Sequence, residues 1–377
     1  MYPTLGDLKK AILTAYGNSD SPLAGAAHME LPPPEYYTQS AVSMFVDCQQ
    51  MWFWRYVLGL TPKRIAKHFV TGNLVHLGLE LLLKAHEGTL PRDPLDEHVP
   101  SVSDVLLSFP SRFEQETDKI QTESDMLSPV DCDMMEYSRV QALAMLDVWA
   151  EIKLPKLNDW NRIDVERTVV GIPIVEEEGK QPAREELFWS RAAGKLDGVF
   201  EHKQTGQRFL MEHKTRSRMD TFSFDWLALD QQSNWYLSLY EHATKVQLAG
   251  FLYNVIKKPT HRMSIKGAED LRSRMRAAML DNQEGYLLLD SVLADRTVMD
   301  DNLRNMVTII KQMEETPINR ITRNLGRCGE KGGCSYRPLC RAKCNAVRMD
   351  RLLKTDDLYL YDVKTVNSEL ELEAESE

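Results

Sequence analysis

The chain has no apolar run approaching the ~18 residues that a membrane-spanning helix needs, and its N-terminus has no basic-then-apolar secretion pattern. A cytoplasmic location is the expectation. Positive charge is in deficit. Lys and Arg number 46 against 56 Asp and Glu, a net charge of −10, which argues against a uniformly nucleic-acid-binding surface. Cysteine is scarce, with six in 377 residues, and four of them crowd between Cys328 and Cys344. That crowd contains no C-x2-C pair, and no histidine lies near it. With no secretion signal, such a cluster is expected to hold metal rather than disulfides. Thiolates select zinc or iron–sulfur clusters, and the missing C-x2-C pairs favour a cluster. Cys344 is available to either.

What is present is enough for a sizeable core in one domain or two, with 43% hydrophobic residues, seven Trp and 13 Tyr. Charge is unevenly placed: residues 320–354 are basic and the tail 355–377 is acidic. A local basic surface suits DNA, and the tail reads as disordered, either simply solubilising, or mimicking nucleic acid or recruiting a basic protein partner. The expected organisation is an N-terminal segment over 1–35, one domain over 36–354, and the tail.

In chain order, a short helix is expected near Leu5–Tyr16. Thr38-Gln39-Ser40 caps an aromatic-rich helix from Ala41 to about Leu58, in which Cys48 alone reads as a small buried hydrophobe. Phe69–His86 is apolar nearly all round and reads as a buried helix carrying His76, by itself a core histidine. Residues 87–128 read as loop, with prolines at 91, 94, 100 and 110. A helix is expected over Asp131–Ile152 and a strand over Ile163–Val175, where Glu166 either reaches a site or, as alternating charge on a strand usually does, faces solvent. Asp225–His242 reads as a helix with Gln232 and Tyr236 on one inward face. Val246–Lys258 reads as a central strand, and 267–315 as mostly helical.

The centre of the chain is G-K-L-D-G-V-F-E-H-K-Q-T-G-Q-R-F-L-M-E-H-K-T, Gly194 to Thr215. It reads as two strands, Lys195–His202 and Arg208–Thr215, joined by a turn at Lys203–Gln207. Period-two geometry puts Leu210, Glu212 and Lys214 on one face, and the neighbouring strand can bring Asp197 beside them. Two carboxylates and a lysine at a strand edge suit metal-assisted phosphodiester hydrolysis. Carboxylates hold hard cations such as Mg²⁺ or Mn²⁺, which activate water, and a lysine steadies the negative transition state. The alternative is an exposed hairpin whose E-x-K is a solvated face.

These pieces follow one order from Ser40 to Cys344: a helix with a cysteine, G-x-x-x-H, G-x-x-D, E-x-K, Q-x-x-x-Y, and a cysteine triplet. In that order the chain resembles the RecB/AddB-like branch of the PD-(D/E)XK nuclease superfamily. It looks especially like the iron–sulfur exonucleases of that branch, including CRISPR-adaptation nucleases and phage-encoded relatives. The resemblance implies an α/β, restriction-endonuclease-like core, a central mixed β-sheet flanked by helices. A helical N-terminal region and a C-terminal iron–sulfur segment would flank it. It implies that His76, Asp197 and Glu212 hold Mg²⁺ or Mn²⁺, that Lys214 is catalytic, and that Gln232 and Tyr236 help position DNA. It implies that Cys48 joins Cys328, Cys334 and Cys340 on a [4Fe–4S] cluster. Two departures stand out. Leu196 replaces the proline of the superfamily name, and the triplet is C-x5-C-x5-C with Lys331 where the family's C-x2-C begins, which leaves Cys344 as an alternative to Cys328.

The implied activity is a metal-dependent DNA exonuclease acting on single strands or duplex ends. Its setting would be recombination, repair or genome processing in a bacterial cell or phage-infected host. The alternatives are a non-catalytic DNA-binding or assembly subunit on the same fold, and a zinc-binding interaction protein.

Overall fold

The computed structural model describes residues 36–62, 67–86, 100–123, 128–172, 188–219, 229–263, 265, 267–316, 320–329, 334–342 and 361–363. The expected helix at Leu5–Tyr16 lies outside them, as does Cys344. The strands are β1 (Tyr37–Thr38), β2 (Leu60–Pro62), β3 (Trp160–Val170), β4 (Ala192–His202), β5 (Arg208–Arg216), β6 (Gly250–Lys257), β7 (Leu287–Leu293) and β8 (Tyr361–Val363). The long helices are α1 (Gln39–Asp47), α2 (Lys67–Ala85), α3 (Val102–Glu123), α4 (Pro129–Ile152), α5 (Gln231–Thr244), α6 (Gly267–Asp281) and α7 (Arg296–Glu315). The chain packs as two units. One comprises residues 1–63, 170–194 and 301–377, the other 64–169 and 195–300.

The second unit holds a mixed sheet. β4 and β5 pair antiparallel across the tight turn, β5 and β6 pair parallel, β6 and β7 pair antiparallel, and β3 joins β4. The turn is where the sequence places it, with Gly206 at φ +67°, a conformation that favours glycine. β6 is central, and its residues Gly250–Ile256 are buried, as its apolar run predicts. Helices α2, α3 and α4 bring Leu74, Phe109, Phe113, Leu146 and Trp149 against Phe200, Met211 and Leu252 of the sheet in one core. Each such side chain contributes about 1.5–3 kcal/mol of burial. Gly78 is what lets α2 lie close to α4: a Cβ there would fall 2.2 Å from Leu146 Cδ1. This α/β arrangement, a mixed central sheet flanked by helices, matches the expected fold class.

Several local expectations fail for identifiable reasons. Residues 102–123, expected as loop, form the 22-residue α3. Val105, Phe109, Phe113, Thr117 and Ile120 make its buried stripe, and that burial outweighs the ~3 kcal/mol cost of an interior proline at Pro110. Ser101 and Asp104 cap it reciprocally, with Asp104 N–H to Ser101 Oγ at 3.2 Å and Ser101 N–H to Asp104 Oδ2 at 3.1 Å. Residues 287–293, expected as helix, form strand β7 because a short leucine run fits either state and pairing with β6 decides. Helix α5 starts at Gln231 rather than near Asp225, with Asp230 extended. β3 begins at Trp160, before the expected start, and ends at Val170.

In the first unit, Thr38 caps α1 as expected, its side chain accepting from Ala41 N–H at 3.2 Å. The helix does not run on to Leu58. It stops at Asp47, Cys48 is extended (φ −165°, ψ 105°), a helical turn restarts at Gln49–Trp52, and Phe53–Val57 is a wider π turn. β1 pairs parallel with Ala192–Ala193 at the start of β4. β2 pairs antiparallel with β8, so Tyr361–Val363, inside the tail expected to be disordered, is strand. The remainder of that tail lies outside the described residues.

Candidate active site

Four elements of the second unit deliver the site. α2 carries His76, β3 carries Glu166, β4 carries Asp197, and β5 carries Glu212 and Lys214. The hairpin register sets Gly198 opposite Met211, which brings Asp197 alongside the E-x-K segment. Asp197 Oδ2 accepts the backbone N–H of His213 at 2.6 Å, and Oδ1 stands 3.5 Å from His76 Nδ1. Lys214 Nζ donates to Glu212 Oε1 at 2.5 Å and to Gln232 Oε1 at 2.8 Å, with Asp230 Oδ2 at 3.9 Å. Gln232 Nε2 donates to the Tyr236 hydroxyl at 3.5 Å. His76, Asp197, Glu212, Lys214, Gln232 and Tyr236, distant in sequence, are therefore linked in one chain of contacts.

Glu166 faces the site and not the solvent. One ligand atom each from His76, Glu166 and Asp197 lies within 4.8 Å of the others, the spacing of a shared cation. Glu166 has φ +55°, a left-handed conformation rare for a residue with a Cβ. That twist breaks the period-two alternation on which the solvent-facing expectation rested. Backbone strain of this kind costs about 1–3 kcal/mol and concentrates at functional sites. The carboxylate is paired with Lys195 Nζ at 3.1 Å through Oε2, while Oε1 is buried with no hydrogen-bond partner among the described residues. Glu212 Oε2 is likewise buried and unpartnered. Such orphaned oxygens in a pocket of carboxylates and one imidazole fit a hard divalent cation.

The electrostatics agree with that donor set. Burial pushes Glu166 up to about 7, with Asp197 adding to the rise and Lys195 opposing it. Burial also pushes Glu212 up, against the pull of Lys214. Asp197 is buried too, but His76 and the His213 N–H hold it well below the usual carboxylate range. Burial alone would lower His76, yet the facing carboxylates of Asp197, Glu166 and Glu212 raise it above its ordinary value. Lys214, similarly desolvated, is kept protonated by Glu212 and Asp230. Two carboxyls held high by burial beside a third held low by His76 make an acidic donor set whose charged forms a metal's own charge would favour.

Cys48, Cys328, Cys334 and Cys340 belong to the first unit. Cys48 and Cys340 are buried, and Cys328 and Cys334 are half-buried. Asn324 N–H reaches Cys48 Sγ at 3.5 Å, the Trp54 indole reaches Cys340 Sγ at 3.3 Å, and Cys334 Sγ lies 4.0 Å from Met51 Sδ. Burial raises the Cys334 thiol, and the charges of Cys48 and Cys328 add to the rise. These four do not form a single-ion group of the kind made by His76, Glu166 and Asp197 among the described residues. Cys132 is exposed on α4, near Gln121.

A model of the PD-(D/E)XK nuclease superfamily matches residues 36–341. The chain belongs to that superfamily. A search of curated proteins gives no match. Membership of a nuclease superfamily implies a nucleic-acid substrate and metal-dependent phosphodiester chemistry. Leu196-Asp197 and Glu212-His213-Lys214 both fall within the matched residues. The match reaches the superfamily and does not reach any branch of it. Among the described residues no helix is long and apolar enough to cross a membrane.

Proposed function

We propose that the protein is a DNA exonuclease acting on single strands or duplex ends, in phage or bacterial recombination, repair or genome processing. The observation that carries this reading is the convergence of His76, Asp197, Glu212 and Lys214, with Lys214 held between Glu212 and Gln232. His76, Asp197 and Glu212 would hold Mg²⁺ or Mn²⁺, and Glu166, grouped with His76 and Asp197, would supply a further oxygen. A divalent cation there would activate water and neutralise charge developing on the phosphate. Lys214, fixed by two acceptors, places its ammonium where the phosphate becomes more negative. Gln232 and Tyr236 orient Lys214 and flank the strand. The raised carboxyls of Glu166 and Glu212 give up protons more easily once a cation is present.

The same reading assigns a [4Fe–4S] cluster to Cys48, Cys328, Cys334 and Cys340, with Cys344 as the alternative to Cys328. A cluster has its thiolates spread wider than one ion does. N–H groups reach the sulfurs of Cys48 and Cys340, an arrangement typical of cluster surroundings. The break at Cys48 turns that side chain out of the helical row, which an uninterrupted helix would not do. The cluster would tie the first helix to the basic segment 320–354.

Digestion of end-labelled single- and double-stranded DNA by anaerobically purified protein tests the reading, with Mn²⁺, Mg²⁺ or EDTA. Metal-dependent loss of label that Asp197→Ala abolishes supports it. Uncut DNA with every metal, from folded and cluster-loaded protein, points instead to a binding or assembly subunit.

A further inference from the structure

We propose that Arg216, Arg218, Lys257, Lys258 and Arg262 form a lip beyond the metal site along which the backbone of one nucleic-acid strand runs. The proposal rests on the nuclease reading and adds to it the path of the substrate. It begins with the register of the parallel pair. Arg216 sits opposite Lys257, two residues past the Lys214–Val255 pair. Lys258 N–H donates to the Arg216 carbonyl at 2.8 Å, so both strands leave the sheet together. Register partners and alternate residues share a face, so Arg216 and Lys257 follow Glu212 and Lys214 on the side of the catalytic lysine. The next pair along lies about 6.6 Å on, a step comparable to one nucleotide of an extended strand.

The two segments that emerge there, Lys214–Met219 and Lys257–Met263, contain no carboxylate in a chain with a net charge of −10. Arg218 and Arg262 are exposed, and Arg216, Lys257 and Lys258 are half-buried. A local cationic run on an acidic protein is the electrostatic footprint of a polyanion.

The second segment is also fixed in place. Gln141 Nε2 donates to the Pro259 carbonyl at 2.7 Å, the Tyr137 hydroxyl to the His261 carbonyl at 3.0 Å, and Arg274 to the Arg262 carbonyl at 3.0 Å. Its carbonyls thus face α4 and α6. Gln141, buried, also accepts from the Thr71 hydroxyl at 3.0 Å, and Thr71 lies on the helix that carries His76. One glutamine therefore ties the metal-ligand helix to the basic loop. A phosphate would meet cations already positioned, without the cost of ordering a loop.

The test uses the full-length protein, a fluorescein-labelled oligodeoxythymidylate in EDTA, and anisotropy titrations over a series of salt concentrations. The variant is Arg218→Ala/Arg262→Ala. The control carries the same charge change on α3, Arg112→Ala/Lys119→Ala, and circular dichroism checks the fold of each. Taking one cation away from a phosphate should make the slope of log K against log salt shallower by about 0.7, so the lip variant should flatten by about 1.4 and the control not at all. Hydrolysis of thymidine 5′-monophosphate p-nitrophenyl ester, a diester with no neighbouring phosphates, should proceed at the wild-type rate in both. An unchanged slope in a lip variant that still hydrolyses the ester overturns the path. Failure of wild-type protein to hydrolyse either ester or DNA, with the lip variant's slope still flattened, overturns the nuclease reading and leaves the lip as a binding surface.

Discussion

The side-chain amide of Asn254 stands 2.8 Å from Nδ1 of His213, and this contact assigns the proton of that ring. The Trp149 indole, a donor only, reaches Asn254 Oδ1 at 2.7 Å. The oxygen being taken, Asn254 presents its NH₂ to His213, so Nδ1 accepts and the proton resides on Nε2. Burial pulls His213 down to about 4, so the ring stays neutral. The ring lies edge-on to His76 at 5.8 Å, and its backbone N–H holds Asp197.

Asn254→Ala should therefore leave two buried groups unpaired and cost about 2–5 kcal/mol in urea unfolding. Asn254→Asp keeps an acceptor for Trp149 but turns a second acceptor toward His213, moving the proton to Nδ1. Imidazole ¹⁵N shifts check this. A wild-type ring already protonated on Nδ1 would contradict the relay.

Glu166→Gln should weaken Mn²⁺ binding, read by calorimetry, by about 10–100-fold, the scale of losing one oxygen ligand's charge and geometry. Its effect on stability should have the opposite sign. The folded-state value of about 7 lies above the ordinary 4.5. Between those values the unfolded chain releases the proton while the folded protein keeps it, so stability falls as pH rises and the penalty is complete above about 7. Without metal, the variant should be more stable than wild type by about 1–3 kcal/mol near pH 8 and equal to it near pH 4. A difference independent of pH would remove Glu166 from the charged site.

Much of the site was legible because its spacings survive as contacts. E-x-K on a strand, Q-x-x-x-Y on a helix and a turn of Thr205-Gly206 are local patterns that fix which side chains share a face. Glu166 was not legible, because one left-handed residue reverses a strand's alternation and composition carries no sign of it. α3 was hidden by its proline, and its cap uses Asp104 where a glutamate is the usual signal. β7 was hidden because its leucines fit helix and strand alike, and only β6 chooses between them. The break at Cys48 is likewise tertiary: Gln50 N–H bonds to the Thr322 carbonyl at 3.0 Å, and Gln49 Oε1 accepts from Thr322 N–H at 2.9 Å.

Cys334→Ser should remove the visible absorption and most of the iron from anaerobically purified protein, if the four cysteines hold a [4Fe–4S] cluster. Cys132→Ser, at an exposed position on α4, should change neither. Colourless wild-type protein containing stoichiometric zinc would replace the cluster by a zinc site.

Lys214→Met should separate catalysis from metal binding. The side chain is nearly enclosed, at 15% exposure, and methionine keeps its length and apolar stem without the charge. Loss of the ammonium leaves Glu212, 2% exposed, without its cation, so that its carboxyl rises further and is protonated in metal-free protein. Added Mn²⁺ then supplies the missing positive charge, and affinity should change by no more than a few-fold. The DNA cleavage rate should nevertheless fall by about 10²–10³, the range for removing one preorganised donor to a developing anion. Lys214→Arg should not restore it, because a planar fork cannot take the place of a point ammonium held by Glu212 and Gln232 at 2.5 and 2.8 Å. Gln232→Ala keeps the charge and loosens its position, so its loss should be smaller, about tenfold. If Gln232→Ala were as inactive as Lys214→Met, the glutamine itself would have to meet the substrate.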